Sequence, residues 1–166
     1  MTSLVVCHTA EMTPEELGAV RALTDAAFGD FTDDDWDHAL GGQHALVVDD
    51  GEVVAHGALV MRRLLHAGRS LRCGYVEAVA TSPARLRQGH AATVMAALER
   101  LAPASEAGVV LYEARGWQCW RGPTSVLSLS GVEPTPDDDG SVYVLGDTGL
   151  DLDAELTCDW RTGDVW

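Results

Sequence analysis

A loop with the chemistry of a phosphate-binding site follows a strongly apolar segment in the middle of the chain. Residues 70–81, SLRCGYVEAVAT, are predicted to form a strand, and SPARLRQGH leads from it into an alanine- and leucine-rich helix. The first turn of a helix presents unpaired N–H groups with partial positive charge, which suit pyrophosphate. Gly89 lets the backbone approach a ligand, and Arg85, Arg87 and His90 flank it. The alternative is a plain connection that binds nothing.

Acidic residues dominate the composition. The chain has 26 Asp and Glu against 11 basic residues, all of them arginine, and a formal net charge of −15. A nucleic-acid partner, which requires a basic surface, is therefore not expected. An acidic cleft favours a polyamine ligand, whereas the alternative reading of the charge is solubility alone.

The sequence gives little indication of a metal site, a disulfide framework or a membrane span. The four cysteines form no CxxC pair, and the six histidines form no HxH or HxxxH cluster, so no metal site and no disulfide framework are expected. No apolar run approaches the ~20 residues of a membrane span, and the N-terminus does not resemble a signal peptide. We expect a cytoplasmic protein with a single domain over residues 1–166.

The elements that position these residues can be predicted from caps and turns. Thr13, Pro14 and Glu16 give the start of a helix that Gly29 ends. A short helix is expected from about Thr32 to Gly41-Gly42, and Leu4–His8 reads as a strand. HALVVDDGEVVAHGALVMRRLL is predicted to form a hairpin around the Asp-Gly dipeptide at 50–51, and RGPTSVLSL and GSVYVLGD are further strands. The order as far as the glycine loop is β-α-α-β-β-β-α.

This order, with a glycine loop at the next helix start, resembles the GNAT superfamily of acetyl-CoA-dependent N-acetyltransferases. The segments GDFTDDDWDHALGG, LRCGYVEAVA, LYEARGW, GPTSVL, TPDDDG and CDWRTGDVW resemble the aminoglycoside 2′-N-acetyltransferases within it. The resemblance covers nearly the whole chain. It implies an α+β fold in which helices flank a central mixed, mostly antiparallel sheet, and it implies a homodimer.

The resemblance also implies a reaction, in which acetyl-CoA gives its acetyl group directly to the 2′-amine of an aminoglycoside. Glu77 matches the general base, which acts through ordered water, and we expect burial on an apolar strand to raise its pKa. The alternative for Glu77 is a side chain that points to solvent. Tyr112 matches the general acid for the CoA thiolate, and its alternative is a core tyrosine.

Acids are expected to bind the polycationic drug. The resemblance assigns substrate-binding positions to Asp30, Asp35, Ala78, Asp138, Asp164 and Trp166. Glycine usually follows the catalytic Glu in this family, and Ala78 replaces it here. We expect the terminal Asp164, Trp166 and α-carboxylate to form a wall of the drug site, and the alternative is that Trp160 and Trp166 seal the core.

The acetyl-CoA site is assigned by the same resemblance. It comprises Val79, Arg85, Arg87, Gln88, Gly89, His90 and Ala91. The superfamily loop normally starts with Gln or Arg, whereas Leu86 stands at that position. A neighbouring arginine or the backbone amides alone are expected to replace the missing contact.

A second departure is the short segment Leu101–Leu111, where the superfamily has a loop, a fifth strand and a helix. Either the sequence as written joins residues that are not adjacent in the protein, or residues around GVVLY have become a strand. We favour the first; it predicts a Cα–Cα step between residues 102 and 108 well above the usual ~3.8 Å.

Three functions follow from these observations. The first is aminoglycoside 2′-N-acetylation that confers drug resistance. The second is acetylation of another small polyamine or amino sugar by a GNAT enzyme. The third is a non-catalytic module that binds an aminoglycoside or CoA.

Overall fold

The computed structural model describes residues 1–101, 115–145 and 149–166. Three helices, nine strands and three short 3₁₀ turns make up these residues. The helices are α1 (Pro14–Phe28), α2 (Asp33–Ala39) and α3 (His90–Leu101). The strands are β1 (Thr2–His8), β2 (Gln43–Asp49), β3 (Glu52–His66), β4 (Arg69–Thr81), β5 (Trp117–Cys119), β6 (Thr124–Ser128), β7 (Gly131–Pro134), β8 (Tyr143–Leu145) and β9 (Leu156–Asp159). The 3₁₀ turns are Thr9–Glu11, Pro83–Arg85 and Pro136–Asp138.

The described residues divide into two compact units. The first unit comprises residues 1–60 and 76–101, and the second comprises residues 61–75, 115–145 and 149–166. The single-domain expectation stays a prediction. Tyr112 and the residues between 102 and 108, where the Cα spacing was to decide between the two alternatives, lie outside the described residues.

In the first unit, the predicted hairpin is confirmed. Antiparallel β2 and β3 are joined by Asp50 and Gly51, whose φ angles of 49° and 86° are those of a tight two-residue turn. β1 pairs antiparallel with β2 on the other side, and β4 pairs with β3. A bulge between Val47 and Val48 shifts the register of β2 on β3 by one residue.

The predicted caps of α1 are also confirmed. The Thr13 side chain accepts a hydrogen bond from the Glu16 amide, and the Glu16 side chain accepts one from the Thr13 amide. Gly29 ends the helix in the left-handed conformation at φ 80°. The buried face of α1 includes Val20, which packs in one cluster with Leu46 of β2. This contact fixes the helix on one face of the sheet.

Helix α3 packs closely on β3 because position 57 has no side chain. A Cβ atom at Gly57 would lie 2.7 Å from Val94 Cγ1, which is closer than real Cβ contacts allow, and 3.0 Å from Leu98 Cδ1, which is tighter than most. Both of these α3 residues are fully buried. The glycine therefore permits the close packing of α3, the helix that follows the predicted phosphate-binding loop.

The second unit contains the predicted strands β6 and β8 and adds β5, β7 and β9, which the sequence analysis did not predict. β9 pairs antiparallel with β3 and parallel with β6, so that Cys158 lies opposite both Leu64 and Val126. β7 pairs antiparallel with β6, and β5 pairs antiparallel with β8 as a separate two-stranded sheet. A mixed, mostly antiparallel sheet with three helices results, which confirms the expected fold class.

Candidate active site

A cavity of about 210 Å³ in the first unit brings together four of the predicted site residues. It lies where α1 gives way to α2 and where β4 changes direction. Its lining residues are Phe28, Asp30, Phe31, Asp35, Glu77 and Ala78. The arrangement places three carboxylates beside two aromatic rings, a combination suited to an amine-bearing ligand with apolar faces.

Arg21 and Thr32 order the connection between α1 and α2. The Arg21 guanidinium donates to Asp25 and to Asp33, each at 2.9 Å, and its Cζ lies 5.7 Å from the centroid of the Phe31 ring. At the start of α2, the Asp35 carboxylate accepts hydrogen bonds from the Thr32 amide at 2.8 Å and hydroxyl at 2.7 Å. Asp35 thus caps its own helix while it lines the cavity.

A kink in β4 shapes the other wall of the cavity. Glu77 is half-buried, and the next residue, Ala78, has a φ of +50° in the middle of a strand. For a residue with a side chain, the left-handed region costs ~1–2 kcal/mol, and glycine avoids that cost. The backbone here therefore explains why glycine is the residue expected at this position, and Ala78 adopts the same conformation with strain.

The carbonyl of Ala78 is bound by a histidine that the sequence analysis did not single out. His56 Nδ1 lies 2.9 Å from the Ala78 carbonyl oxygen, and His56 Nε2 lies 2.9 Å from His44 Nδ1. Both rings are fully buried. Burial, and to a smaller extent the charge of His8, lowers the pKa of His44 to about 4. Burial, and to a smaller extent the charge of His44, lowers the pKa of His56 to about 3.

The loop between β4 and α3 contains the predicted anion-binding residues Arg85, Arg87 and Gly89. Arg85 forms an ion pair with Asp49 at 3.1 Å, and Arg87 and Gly89 turn the backbone with φ values of 60° and 83°. α3 then begins at His90, as predicted. The buried Nε2 atom of His90 has no hydrogen-bond partner within the described part of the chain.

The other predicted acetyl-CoA residues lie on or beside this loop. Val79 is half-buried on β4, Gln88 is exposed in the loop, and Ala91 lies in the first turn of α3. Leu86, which replaces the usual polar residue, is 57% exposed. Because leucine has no polar side-chain atom, the arginines and the amides at the start of α3 are the remaining hydrogen-bond donors of the predicted acetyl-CoA site.

In the second unit, the terminal segment is held by hydrogen bonds. The indole Nε1 of Trp166 donates a hydrogen bond to Thr135 Oγ1 at 2.9 Å. The backbone oxygen of Trp166 accepts one from the Arg161 guanidinium at 2.8 Å. Arg161 also donates to the Asp164 carbonyl at 2.7 Å, and its Cζ lies 5.6 Å from the centroid of the Tyr75 ring. The tail is thus ordered by side chains of its own unit.

Solvent exposure distinguishes the two terminal tryptophans from the core residue Trp120. Trp160 is 54% exposed and Trp166 is half-buried, whereas Trp120 is fully buried. Neither terminal tryptophan seals the core, and the alternative given to them is wrong.

The members of the aspartate triplet 137–139 have different surroundings. Asp137 and Asp139 are both exposed, and Asp139 accepts a hydrogen bond from the Thr124 amide at 2.7 Å. Asp138 is half-buried, and its pKa is raised, first by burial and then by the negative charge of Asp164. Asp138 and Asp164 therefore repel one another, and a bound cation would relieve that repulsion.

Over residues 1–101, 115–145 and 149–166, no three His, Cys, Asp or Glu side chains are grouped as metal ligands. None of the helices in those ranges is long and apolar enough to cross a membrane.

Comparison with known proteins shows the family. A family model described as an acetyltransferase (GNAT) domain matches residues 8–117. An aminoglycoside 2′-N-acetyltransferase of Mycolicibacterium fortuitum is 47% identical over 174 residues, which cover 96% of this chain and 89% of that protein. Because the match is longer than the 166 residues of this chain, it includes residues of the relative that this chain lacks.

Solved structures agree on the fold. A GCN5-related N-acetyltransferase from Kribbella flavida superposes with a TM-score of 0.58 at 19% identity over 74% of this chain, which spans about a third (34%) of that protein. A GNAT family acetyltransferase from Brucella melitensis, in complex with acetyl-CoA, gives a TM-score of 0.52 at 20% identity over 71% of this chain and 84% of that one. This chain therefore belongs to the GNAT acetyltransferases, and within them to the family of the aminoglycoside 2′-N-acetyltransferases.

Proposed function

We propose that this protein transfers the acetyl group of acetyl-CoA directly to the 2′-amine of an aminoglycoside. The observation that carries the proposal is the cavity at the β4 kink, where Glu77 lies beside Asp30 and Asp35. A half-buried carboxylate next to two further acids can bind an ammonium group and accept its proton. The 47% identity to an enzyme named for this reaction supports the same assignment.

Glu77 is the proposed general base. An ammonium group cannot attack a thioester until it loses a proton, and a carboxylate reached through one water molecule can remove it. The neutral amine then attacks the thioester carbonyl, a C–N bond forms, and CoA leaves as a thiolate. Tyr112 is proposed to protonate that thiolate, although it lies outside the described residues.

The remaining acids are proposed to bind the other ammonium groups of the drug. Asp30 and Asp35 line the cavity, and Asp138 and Asp164 form the acidic pair of the second unit. The aromatic faces of Phe31 in the first unit and Trp166 in the second suit the apolar faces of sugar rings. Ala78 is proposed to contact the acceptor sugar through its backbone.

Acetyl-CoA is proposed to bind with its pyrophosphate at the loop before α3. Arg87, Gln88 and Gly89 form the loop, and the amides of His90 and Ala91 face the ligand from the helix start. The unpartnered His90 Nε2 and the Arg85 guanidinium fit an anionic group at this turn. Val79 is proposed to contact the pantetheine arm through its backbone. A GNAT structure that contains acetyl-CoA supports this use of the fold.

Three further attributes stay predictions that accompany the function. They are a cytoplasmic location, a homodimer and a contribution to drug resistance. The absence of a nucleic-acid or membrane partner is likewise predicted, from the net charge of −15 and from the sequence.

A matched pair of drugs tests the proposal. Kanamycin B carries an amine at the 2′ position, and kanamycin A carries a hydroxyl there. We expect the purified protein to release CoA from acetyl-CoA with kanamycin B and not with kanamycin A or spermidine. Equal release with kanamycin A would move the reaction to another amine, and release with spermidine alone would favour the wider class of small polyamines. Acetyl-CoA binding without turnover on any amine would indicate a non-catalytic module.

A further inference from the structure

A chain of buried hydrogen bonds crosses the sheet of the first unit and ends beside Glu77. It starts at Thr9, in the turn after β1, whose Oγ1 lies 2.7 Å from His44 Nε2 on β2. His44 Nδ1 then reaches His56 Nε2 on β3 at 2.9 Å, and His56 Nδ1 reaches the Ala78 carbonyl on β4 at 2.9 Å. The turn after β1 and the strands β2, β3 and β4 each contribute one member.

The direction of every bond in the chain follows from its last member. The Ala78 carbonyl can only accept, so His56 Nδ1 carries the proton and donates it. If both rings are neutral, His56 Nε2 accepts from His44 Nδ1, and His44 Nε2 accepts from the Thr9 hydroxyl, which also lies 3.2 Å from the Gly42 carbonyl oxygen. This order requires both rings to be neutral and both to be the Nδ1–H tautomer. The lowered pKa values of the two histidines agree with neutral rings at pH 7.

The first member is itself anchored. Thr9 Oγ1 accepts a hydrogen bond from the Gly41 amide at 2.9 Å, in the connection between α2 and β2. The Thr9 amide donates to the Gly42 carbonyl at 2.9 Å. The chain therefore links that connection to the β4 kink through the half-buried Thr9 and two fully buried histidine rings.

We propose that His56 and His44 are positioning residues, which hold the peptide group between Ala78 and Val79 in the orientation that the acetyl transfer requires. A trans peptide is planar, so anchoring the Ala78 carbonyl on one side points the Val79 N–H to the opposite side. The same bond holds Ala78 at its strained φ of +50°, one residue from Glu77. Neither histidine touches the substrate, and their effect on catalysis passes through the backbone.

The effect on catalysis rests on the proposed function, whereas the bond chain itself does not. Without the His56 donor, the buried carbonyl lacks a partner and the strained residue can relax toward an ordinary strand conformation. The Glu77 carboxylate and the Val79 amide would then both shift. Binding of the drug by the other acids would change little, so the loss should appear in kcat.

Substitutions at position 56 test this proposal. We expect His56→Leu to lower kcat for kanamycin B about 100-fold, the size associated with a ~1 Å misplacement, with little change in KM. Asparagine places an amide donor where Nδ1 lies, so His56→Asn should recover most of kcat. Glutamine places its donor where Nε2 lies, so His56→Gln should not recover it. If the leucine variant does not fold, the asparagine and glutamine variants still decide the question.

His66 supplies the matched control. It is also buried and also donates from Nδ1 to a backbone carbonyl, that of Glu155 at 3.1 Å, in the second unit. We expect His66→Leu to leave kcat close to that of the wild-type protein. Equal losses of kcat in His56→Leu and His66→Leu, or equal activity of the asparagine and glutamine variants, would overturn the positioning role.

Nitrogen NMR tests the bond chain independently of activity. Long-range 1H–15N spectra at pH 7 should show His44 and His56 as neutral Nδ1–H tautomers. An Nε2–H tautomer or a charged ring at either position would contradict the chain even in an active enzyme. If no aminoglycoside is acetylated but both tautomers are found, the proposed function fails and the bond chain stands.

Discussion

The acids of the first unit and those of the second unit are held in different ways. Glu77 belongs to β4, a long strand paired with β3, and Asp35 belongs to a capped helix. Asp138 lies on a 3₁₀ turn and Asp164 on the terminal segment, which is tied down by hydrogen bonds of Arg161 and Trp166. The difference suggests that the first set needs a fixed geometry, as proton transfer does, and that the second supplies charge.

The largest effect is expected from a substitution among the acids of the first unit. Glu77→Gln keeps the shape of the side chain and removes its ability to accept a proton, so kcat/KM for kanamycin B should fall about 10²–10⁴-fold. The pH–rate profile should also lose its acidic limb. Asp164→Asn is the matched change in the second set, and it should alter KM while the profile keeps its shape. An unchanged profile in Glu77→Gln would remove this residue from the mechanism.

Removal of the second set should have a smaller effect. A variant that lacks residues 164–166 loses one acid and the indole that binds Thr135, so KM for the drug should rise about tenfold, equivalent to about 1.4 kcal/mol of binding. The KM for acetyl-CoA should stay the same, because the tail residues are proposed to contact the drug and none of them belongs to the proposed acetyl-CoA site. Equal rises in both KM values would show that the tail acts in folding instead.

The buried histidines make the stability of the protein depend on pH. Their folded-state pKa values of about 4 and about 3 lie below the ordinary 6.5, so the unfolded chain binds protons that the folded one does not. The free energy of unfolding should therefore fall as the pH drops from 6.5 toward 4, by about 1.4 kcal/mol per pH unit for each histidine. Denaturant unfolding across this range measures the slope.

A variant that removes both rings sharpens this test. The double substitution His44→Gln, His56→Asn removes both titrating groups, and its unfolding free energy should fall less steeply with pH over the same range. The same slope in both proteins would assign the acid sensitivity to other groups.

The smallest expected effect concerns the kink at Ala78. Ala78→Gly removes the steric cost of φ +50° and should stabilise the fold by about 1 kcal/mol, or about 2–4 °C in Tm. Ala67→Gly is the control, because Ala67 has a φ of 47° and is not one of the residues that line the cavity. The two variants should gain similar stability in thermal unfolding. No gain in either would show that the surrounding structure relieves the strain.

Local signals allowed much of the first unit to be predicted. The Thr13 capping box, the Gly29 stop and the Asp50-Gly51 turn each specify a backbone conformation within a few residues, and all three are confirmed. The strands β5, β7 and β9 are only three or four residues long, and β5 and β9 pair with strands that are distant in the sequence, so local preference specifies them weakly.

The pair of buried histidines shows why part of the site escaped the sequence analysis. An uninterrupted register from the 50–51 turn would place His44 opposite Gly57, and His56 would then lie on the other face of the sheet. The bulge at Val47 and Val48 shifts the pairing so that His44 lies opposite Ala58 and Leu46 opposite His56. Both rings therefore lie on one face. A bulge of this kind has no clear signature in a run of apolar residues.

The glycine at position 57 bears on the proposed binding of acetyl-CoA. α3 rests directly on β3 at this glycine, and the turn proposed to hold pyrophosphate is attached to the first residue of that helix. A side chain there would meet Val94 Cγ1 and Leu98 Cδ1, so these side chains or the helix that carries them would have to shift. The contact between β3 and α3 at this glycine therefore bears on the position of the turn that is proposed to receive the pyrophosphate of acetyl-CoA.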